Sequence, residues 1–275
     1  MDNRLHNIIV PWDFSPSSDY ALEQAIRIAK VRNFNILLLH FIKHHTKDNT
    51  LLNKLNQIAS DAQEKNGIIV NALITQGSVY KSLLTEASKP DTELIVMKTD
   101  GIKGLQKYTG SRAIKMIKGI QIPTIVVQQM PTSNYFDRIV FPIDYRPENK
   151  EFASVFFQHI NQFAPDVHIF LIKPRSIDST FKKNIANNLN FIKKILENKN
   201  INFTIIESDR GNKAKEIIRI AHSVEADLIL AQLQRRLNLT DFLFGVKEQR
   251  VIANPYKIPV LCINPRRIAT YQAFN

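Results

Sequence analysis

Residues Thr92 to Val127 read TELIVMKTDGIKGLQKYTGSRAIKMIKGIQIPTIVV. Leu94-Ile95-Val96-Met97 is a continuous apolar run of the kind that forms a strand buried on both faces. A polar loop carrying Gly101, Gly104 and Gly110 follows it. Ser111 then opens a helical segment from Arg112 to Lys118, and Ile122-Pro123 leads into a second apolar run, Thr124 to Val127. Strand, glycine loop, helix start and strand make one βαβ unit. The loop of such a unit lies at the carboxyl end of a parallel strand, where open α/β sheets bind ligands. Backbone N–H groups at the helix start carry partial positive charge, so phosphate is the natural guest.

Upstream of this unit the same alternation recurs. Asn7 to Pro11 is a short apolar strand, and Asp13-Phe14-Ser15-Pro16-Ser17-Ser18 signals a helix start. Ala21, Leu22, Ala25, Ile26, Ile28 and Ala29 follow with helical spacing, then the strand Phe34 to Phe41. Leu51, Leu52, Leu55, Ile58, Ala59 and Ala62 mark a second helix ending near Gly67. Ile68 to Ile74 is a third strand, and Val79, Leu83, Leu84 and Ala87 a third helix. The order β-α-β-α-β-α-β-α-β predicts a parallel sheet covered on both faces.

The pattern then starts again. Asn7 to Phe14 matches Arg138 to Tyr145 at an offset of 131, Glu93-Leu94-Ile95-Val96 matches Asp227-Leu228-Ile229-Leu230 at 134, and Ile122 to Val126 matches Ile258 to Cys262 at 136. Val167 to Ile172, Phe191 to Leu196, Phe203 to Ile206 and Ile217 to Ala221 fill the strand and helix slots between these anchors. The expected fold is α/β: two tandem, doubly wound, parallel-sheet (Rossmann-like) domains. The first is expected over residues 1–130, a linker over 131–137 and the second domain over 138–275.

Bulk properties narrow the class. Hydrophobic residues make up 44% and charged residues 23% of the 275, the usual composition of a soluble globular protein. The lone Cys262 rules out an internal disulfide and fits a reducing compartment. No apolar run approaches the roughly 18 residues that span a bilayer, and the N-terminal stretch does not read as a signal peptide, so a cytoplasmic location and no membrane association are expected. The net charge of +12 divides as 16 − 11 = +5 over residues 1–135 and 21 − 14 = +7 over 136–275, with no long basic tract. It reads as a solvated basic surface rather than a nucleic-acid groove, and no nucleic-acid motif accompanies it.

Pro11-x-Asp13-Phe14-Ser15, the strand end LLLHF, the TELIVMKTDG…GS loop and the terminal IPTIVV together resemble the universal stress protein family, and the resemblance covers both halves. It implies a tandem form whose folds are of the adenine nucleotide alpha-hydrolase type. In nucleotide-binding members the late loop reads Gly-x-x-Gly, a nine-residue spacer, then Gly-Ser or Gly-Thr. Its glycines let backbone approach ribose and phosphates. An early Asp and a hydrophobic residue at the end of the second strand hold adenine.

Carried over residue by residue, the resemblance implies an adenine-nucleotide site, for ATP with Mg or another adenine nucleotide, in the first half only. It would comprise Pro11, Trp12, Asp13, Phe41, Met97, Lys98, Gly101, Gly110, Ser111 and Arg112. Lys98 stands where the first loop glycine is expected, and Ile102 to Thr109 is an eight-residue spacer. A side chain at 98 either blocks backbone approach or reaches a phosphate as a point charge. In the second half Asp144 is retained, but the late loop Ala231-Gln232-Leu233-Gln234-Arg235-Arg236 has no glycine until Gly245, and Val246 replaces the hydroxyl residue, so no triphosphate site is expected there.

Each candidate has a plainer reading. Asp13 contacts a base or is a helix cap or turn residue. Gly110-Ser111 cradles phosphate or simply starts a helix. Trp12 packs at the sheet edge or touches a ligand. His40, His44 and His45 cluster without a ligand set, so no metal site is expected. Ser15, Ser17, Ser18 and Ser111 fit no nucleophile elbow. No catalytic residue is assigned. Slow ATP hydrolysis would have only Asp100 near the loop as a base.

Two functions follow from the resemblance: a nucleotide-responsive, non-enzymatic stress-response module, or a nucleotide-free scaffold acting through protein partners. The resemblance also implies that Pro123–Val127 and Pro259–Ile263 meet as an internal pseudo-dimer, and their apolar, β-branched composition suits a contact that removes two sheet edges. A homodimer of chains is a further expectation.

Overall fold

The computed structural model of the chain describes residues 6–43, 49–99, 117, 119–120, 122–133, 136–159, 168–174, 178–208, 213–232 and 245–263. Its strands are β1 (Asn7–Trp12), β2 (Asn35–Ile42), β3 (Val70–Gln76), β4 (Thr92–Lys98) and β5 (Thr124–Val127), followed by β6 (Arg138–Pro142), β7 (His168–Pro174), β8 (Asn202–Ser208), β9 (Leu228–Gln232) and β10 (Val260–Ile263). The helices among the described residues are α1 (Ser18–Arg32), α2 (Thr50–Asn66), α3 (Val79–Ala87), α4 (Glu148–His159), α5 (Ser179–Asn198), α6 (Lys213–Ser223) and α7 (Gly245–Ile252). The helix expected over Arg112 to Lys118 lies outside the described residues, apart from Ile117.

All ten strands join one sheet in the order β3-β2-β1-β4-β5-β10-β9-β6-β7-β8. Every neighbouring pair is parallel except β5 with β10, which run antiparallel with Val126 opposite Val260 and Thr124 opposite Cys262. The order inverts about that seam, as an internal two-fold requires. The expected pseudo-dimer contact is therefore a strand ladder, and two doubly wound halves share one continuous, mostly parallel sheet. Thr124 to Val127 and Val260 to Ile263 are buried at every position, so the seam is core rather than edge.

Period-two burial positions the rest. In the first half Ile8, Val10 and Trp12, with Ile36 and Leu38 and with Leu94 and Val96, face a core packed by α1 and α2 residues such as Ala21, Ala25 and Leu55. Ile9, Leu39 and Ile95 face the other way, toward Leu83 and Ala87 of α3. Each such side chain, fully buried, contributes roughly 1.5–3 kcal/mol. The carboxyl ends of β1 and β4 lie side by side where the strand order reverses, which is the binding crevice of this architecture.

Candidate functional site

At the end of β1 the chain must turn abruptly into α1. Phe14 makes the turn with φ 60°, a left-handed conformation that a bulky residue adopts at a cost. Its ring is held by three neighbours: His40 at 4.8 Å, the edge of Trp12 at 6.5 Å and the Lys54 ammonium 5.2 Å from its centroid. His40 Nδ1 in turn lies 2.8 Å from the Trp12 carbonyl. The turn aims Asp13 at the start of α1. There its Oδ1 accepts from the Ser15 N–H at 3.1 Å, the Ser15 hydroxyl at 2.7 Å and the Ser18 hydroxyl at 2.6 Å. Ser17, the capping residue of α1, makes no side-chain cap bond, so Asp13 acts as the turn residue that organises this helix entrance.

Lys98 completes the cluster from the neighbouring strand. As the last residue of β4 it follows the alternation of Leu94 and Val96 onto the α1 side. Its ammonium sits 3.0 Å from Asp13 Oδ2 and donates to Ser15 Oγ at 2.6 Å and Ser17 Oγ at 2.9 Å. The side chain is only 11% exposed against 32% for Asp13. Burial works against the charged form of Asp13. The Ser18 and Ser15 hydroxyls, Lys98 and the Ser15 N–H outweigh it together and hold the carboxyl well below the usual carboxylate range. The crevice mouth thus carries a charge pair that the protein neutralises internally.

The remaining expected site residues divide across the sheet. Trp12 is 4% exposed and packs on the α1–α2 side, its Nε1 without a hydrogen-bond partner among the described residues. Phe41 and Met97 pack on the opposite face, against the core around Ile9 and Ile95. Pro11 is half-buried and pairs with Leu39. Gly101, Gly110, Ser111 and Arg112 lie outside the described residues, as do Asp100, His44 and His45. The structure therefore unites Asp13 with Lys98 and keeps Trp12 apart from Phe41 and Met97. Sequence reasoning missed Ser15, Ser17 and Ser18 as the shell of this ion pair. The signal was present: three hydroxyls within five residues after a strand-end Asp, facing a strand that ends in Lys. Among the described residues no group of three His, Cys, Asp or Glu could hold a metal ion. No described helix is long and apolar enough to cross a membrane.

The second half keeps the carboxylate and changes everything around it. Asp144 pairs with the guanidinium of Arg146 in its own turn, and its Oδ1 accepts the Arg146 N–H at 2.9 Å. Asn188, 2% exposed, clamps that turn by donating to the carbonyls of Asp144 and Arg146, each at 2.8 Å. Asn149 and Gln232 stand where the first half has Ser18 and Lys98, and they bond to each other at 3.1 Å. A neutral amide pair replaces the cross-strand ion pair.

The model described as the universal stress protein family matches residues 4–128. Residues 4–128 therefore carry a universal stress protein domain. The stress-protein fold extends over the second half in solved structures of similar length. A functionally unknown protein from Pseudomonas aeruginosa PAO1 is 19% identical with a TM-score of 0.70, covering 97% of this chain and 95% of that one. A universal stress protein from Archaeoglobus fulgidus DSM 4304 is 15% identical with a TM-score of 0.69, covering 94% and 96%. The cytoplasmic domain of a prokaryotic cation chloride cotransporter is 11% identical with a TM-score of 0.53, covering 97% and 99%. At these identities the likeness is one of fold. No functionally curated protein matches the sequence.

Proposed function

We propose that this universal stress protein is a non-enzymatic, nucleotide-free scaffold of the stress response, cytoplasmic and acting through protein contacts. One observation carries the reading: Lys98 lies across the crevice between β1 and β4 and occupies Asp13, Ser15 and Ser17 with its own ammonium. A ligand using Asp13 must first displace a mostly buried, charge-assisted network. The second half supports the same reading, because Asp144 is likewise satisfied by Arg146. The expected domain limits, 1–130 and 138–275, and a homodimer of chains belong to this proposal.

The second reading is an adenine-nucleotide module, and it too has a specific observation. The Lys98 ammonium and the Ser15 and Ser17 hydroxyls converge at the start of α1, donors that a phosphate of ATP with Mg could share. Isothermal titration with ATP and magnesium separates the two. The scaffold predicts no binding by the wild type at about millimolar ATP, a free energy weaker than roughly −4 kcal/mol, and binding that appears in Lys98→Gly. Wild-type binding at one site per chain, abolished by Gly110→Val, would replace the scaffold with the nucleotide module.

A further inference from the structure

We infer that β8, the edge strand of the second half, is the surface through which two copies of this chain pair, strand against strand, about a two-fold axis at Ile205. The sheet ends in β3 on one side and in β8 on the other. The His168 N–H donates to the Asp137 carbonyl and the Ile143 N–H to the Ile172 carbonyl, so His168 and Ile172 of β7 turn their backbone groups toward β6. By alternation Ile169 and Leu171 turn theirs toward β8, where they stand opposite Phe203 and Ile205. In a parallel ladder the residue opposite such a bonding residue points its own N–H and C=O away. Phe203 and Ile205 therefore point theirs outward, and the alternation carries on to position 207.

Little blunts this edge. The strand reads Asn202-Phe203-Thr204-Ile205-Ile206-Glu207-Ser208, with neither proline nor lysine, and its one charge, Glu207, lies 3.5 Å from the Lys173 ammonium of β7. Ile205 is 40% exposed, on the face where Phe203 packs beside α5. The matching edge of the first half is partly closed. There the Ile36 N–H donates to the Ile69 carbonyl, so Val70 points outward, and the Gln63 side chain of α2 accepts the Val70 N–H at 3.2 Å. Among the described residues no side chain caps Phe203 or Ile205 in this way.

The register selects the partner. Positions 203, 205 and 207 are symmetric about Ile205, so the strand can lie antiparallel against its own copy with Ile205 opposite Ile205. That pair exchanges two N–H···O bonds and sets two apolar side chains side by side. Thr204 then lies beside Ile206, and no like charges meet. The flank of α5 beside this edge agrees. Asn188 reaches the turn after β6 and Phe191 meets Lys150 of α4, so that flank faces α4. The opposite flank, Lys182, Ala186, Lys193 and Glu197, borders β8 and carries both signs of charge, as two identical antiparallel helices require. The chain already joins its halves by an antiparallel pair about an internal two-fold, with Val126 of β5 opposite Val260 of β10. A β8 contact repeats that joint between chains, and a two-fold contact closes on itself at two copies.

This gives the homodimer of the scaffold reading a place in the fold, and it rests on that reading. Sedimentation equilibrium of the full chain from about 1 to about 100 μM measures the association. Ile205→Lys sets two ammonium groups face to face, and Ile205→Pro removes the outward N–H while an edge proline leaves the β7 ladder intact. Thermal unfolding of each variant checks that the fold persists, and the lysine variant carries the test alone if the proline disturbs the strand. The expected result is a wild-type dimer, weakened roughly 5- to 150-fold by Ile205→Pro, the loss of two hydrogen bonds, monomeric in Ile205→Lys, and unchanged by Gln76→Lys on β3. Ile205→Cys should form a disulfide-linked dimer on mild oxidation, because the Cα atoms of a hydrogen-bonded pair lie about 5.5 Å apart. Cys262, 1% exposed, does not compete. A dimer that survives in folded Ile205→Lys, or an Ile205→Cys chain that fails to cross-link, would overturn the β8 interface and leave the homodimer standing. A wild type that stays monomeric would overturn both, and the ATP titration decides the nucleotide question separately.

Discussion

Replacing Lys98 with methionine keeps most of the side-chain volume and removes the ammonium. Three interactions disappear: the pair with Asp13 Oδ2 at 3.0 Å and the donations to Ser15 and Ser17 at 2.6 and 2.9 Å. An exposed ion pair is worth roughly 0.2–1 kcal/mol, and truncating one member of a fully buried pair costs roughly 3–5 kcal/mol. Lys98 is nearly buried and Asp13 only partly so, which places the pair between these limits. Asp13 also keeps its Ser15 and Ser18 donors after the substitution and is not left orphaned. The cost should therefore fall near the lower limit, about 1–2 kcal/mol at neutral pH. Urea unfolding of Lys98→Met, Asp13→Asn and the double variant isolates the pair, with an expected coupling of about 1 kcal/mol. The pH dependence has a definite sign. The folded carboxyl lies below its ordinary value of 3.8, so its stabilisation is complete above that value and declines as pH falls through and below it. Additivity of the two single variants within about 0.3 kcal/mol would refute the reasoning, because groups in genuine contact do not behave independently.

Two further predictions concern other buried groups. Burial pushes the Asp227 carboxyl up to about 6, although the Arg138 and Asp137 N–H groups favour its charged form. Such a shift costs stability as pH rises from about 4 through 6, by up to roughly 3 kcal/mol. Asp227→Asn should flatten that part of the pH–stability curve, and an unchanged curve would exclude the shift. Cys262 is 1% exposed, so a thiol reagent should label no cysteine in the native chain and one per chain in guanidinium. Native labelling at the rate of a free thiol would mean that the β5–β10 seam opens.

The fold was legible because its signals are local. Continuous apolar strands alternate with amphipathic helices, and Asn7 to Phe14 reappears as Arg138 to Tyr145, so the order of elements along the chain and the duplication follow from spacing. The seam was expected from the family resemblance, and the two apolar, largely β-branched runs suit the cover that it implies. Boundaries moved by a residue or two: the third strand runs from Val70 to Gln76 rather than from Ile68 to Ile74, because Gly67 closes α2 with φ 67° and Ile68 and Ile69 serve as its exit. The site was less legible. Asp13 and Lys98 are 85 residues apart, and only the reversal of strand order between β1 and β4 brings them together. Which face Trp12 and Phe41 occupy depends on strand register, and a motif that names both does not reveal that they point away from each other. The stacking of Tyr145 on Phe181 has no sequence signature at all, because the two rings meet only where the turn after β6 comes against the first turn of α5.

Both halves neutralise the carboxylate at the end of their first strand, but they do so across different distances in the fold. In the first half the cation comes from β4, so the ion pair joins two strands at the switch point. In the second it comes from Arg146, two residues along the same turn, and the position equivalent to Lys98 is free to be the neutral Gln232. The consequence lies at the seam. Lys98 pairs in register with Val127, and the Thr99 N–H donates to the Val127 carbonyl at 2.8 Å. The next residue, Gln128, donates to the carbonyls of Ile252 and Asn254 in the other half, each at 3.2 Å. A hydrogen-bonded path thus runs from the first crevice to the joint between the halves through Thr99, Val127 and the Gln128 side-chain amide, whereas among the described residues Arg146 pairs with Asp144 of its own turn. A group that displaces Lys98 acts on a strand register shared with the seam. A group that displaces Arg146 frees one loop. The first crevice is therefore the place where occupancy can alter how the two halves meet.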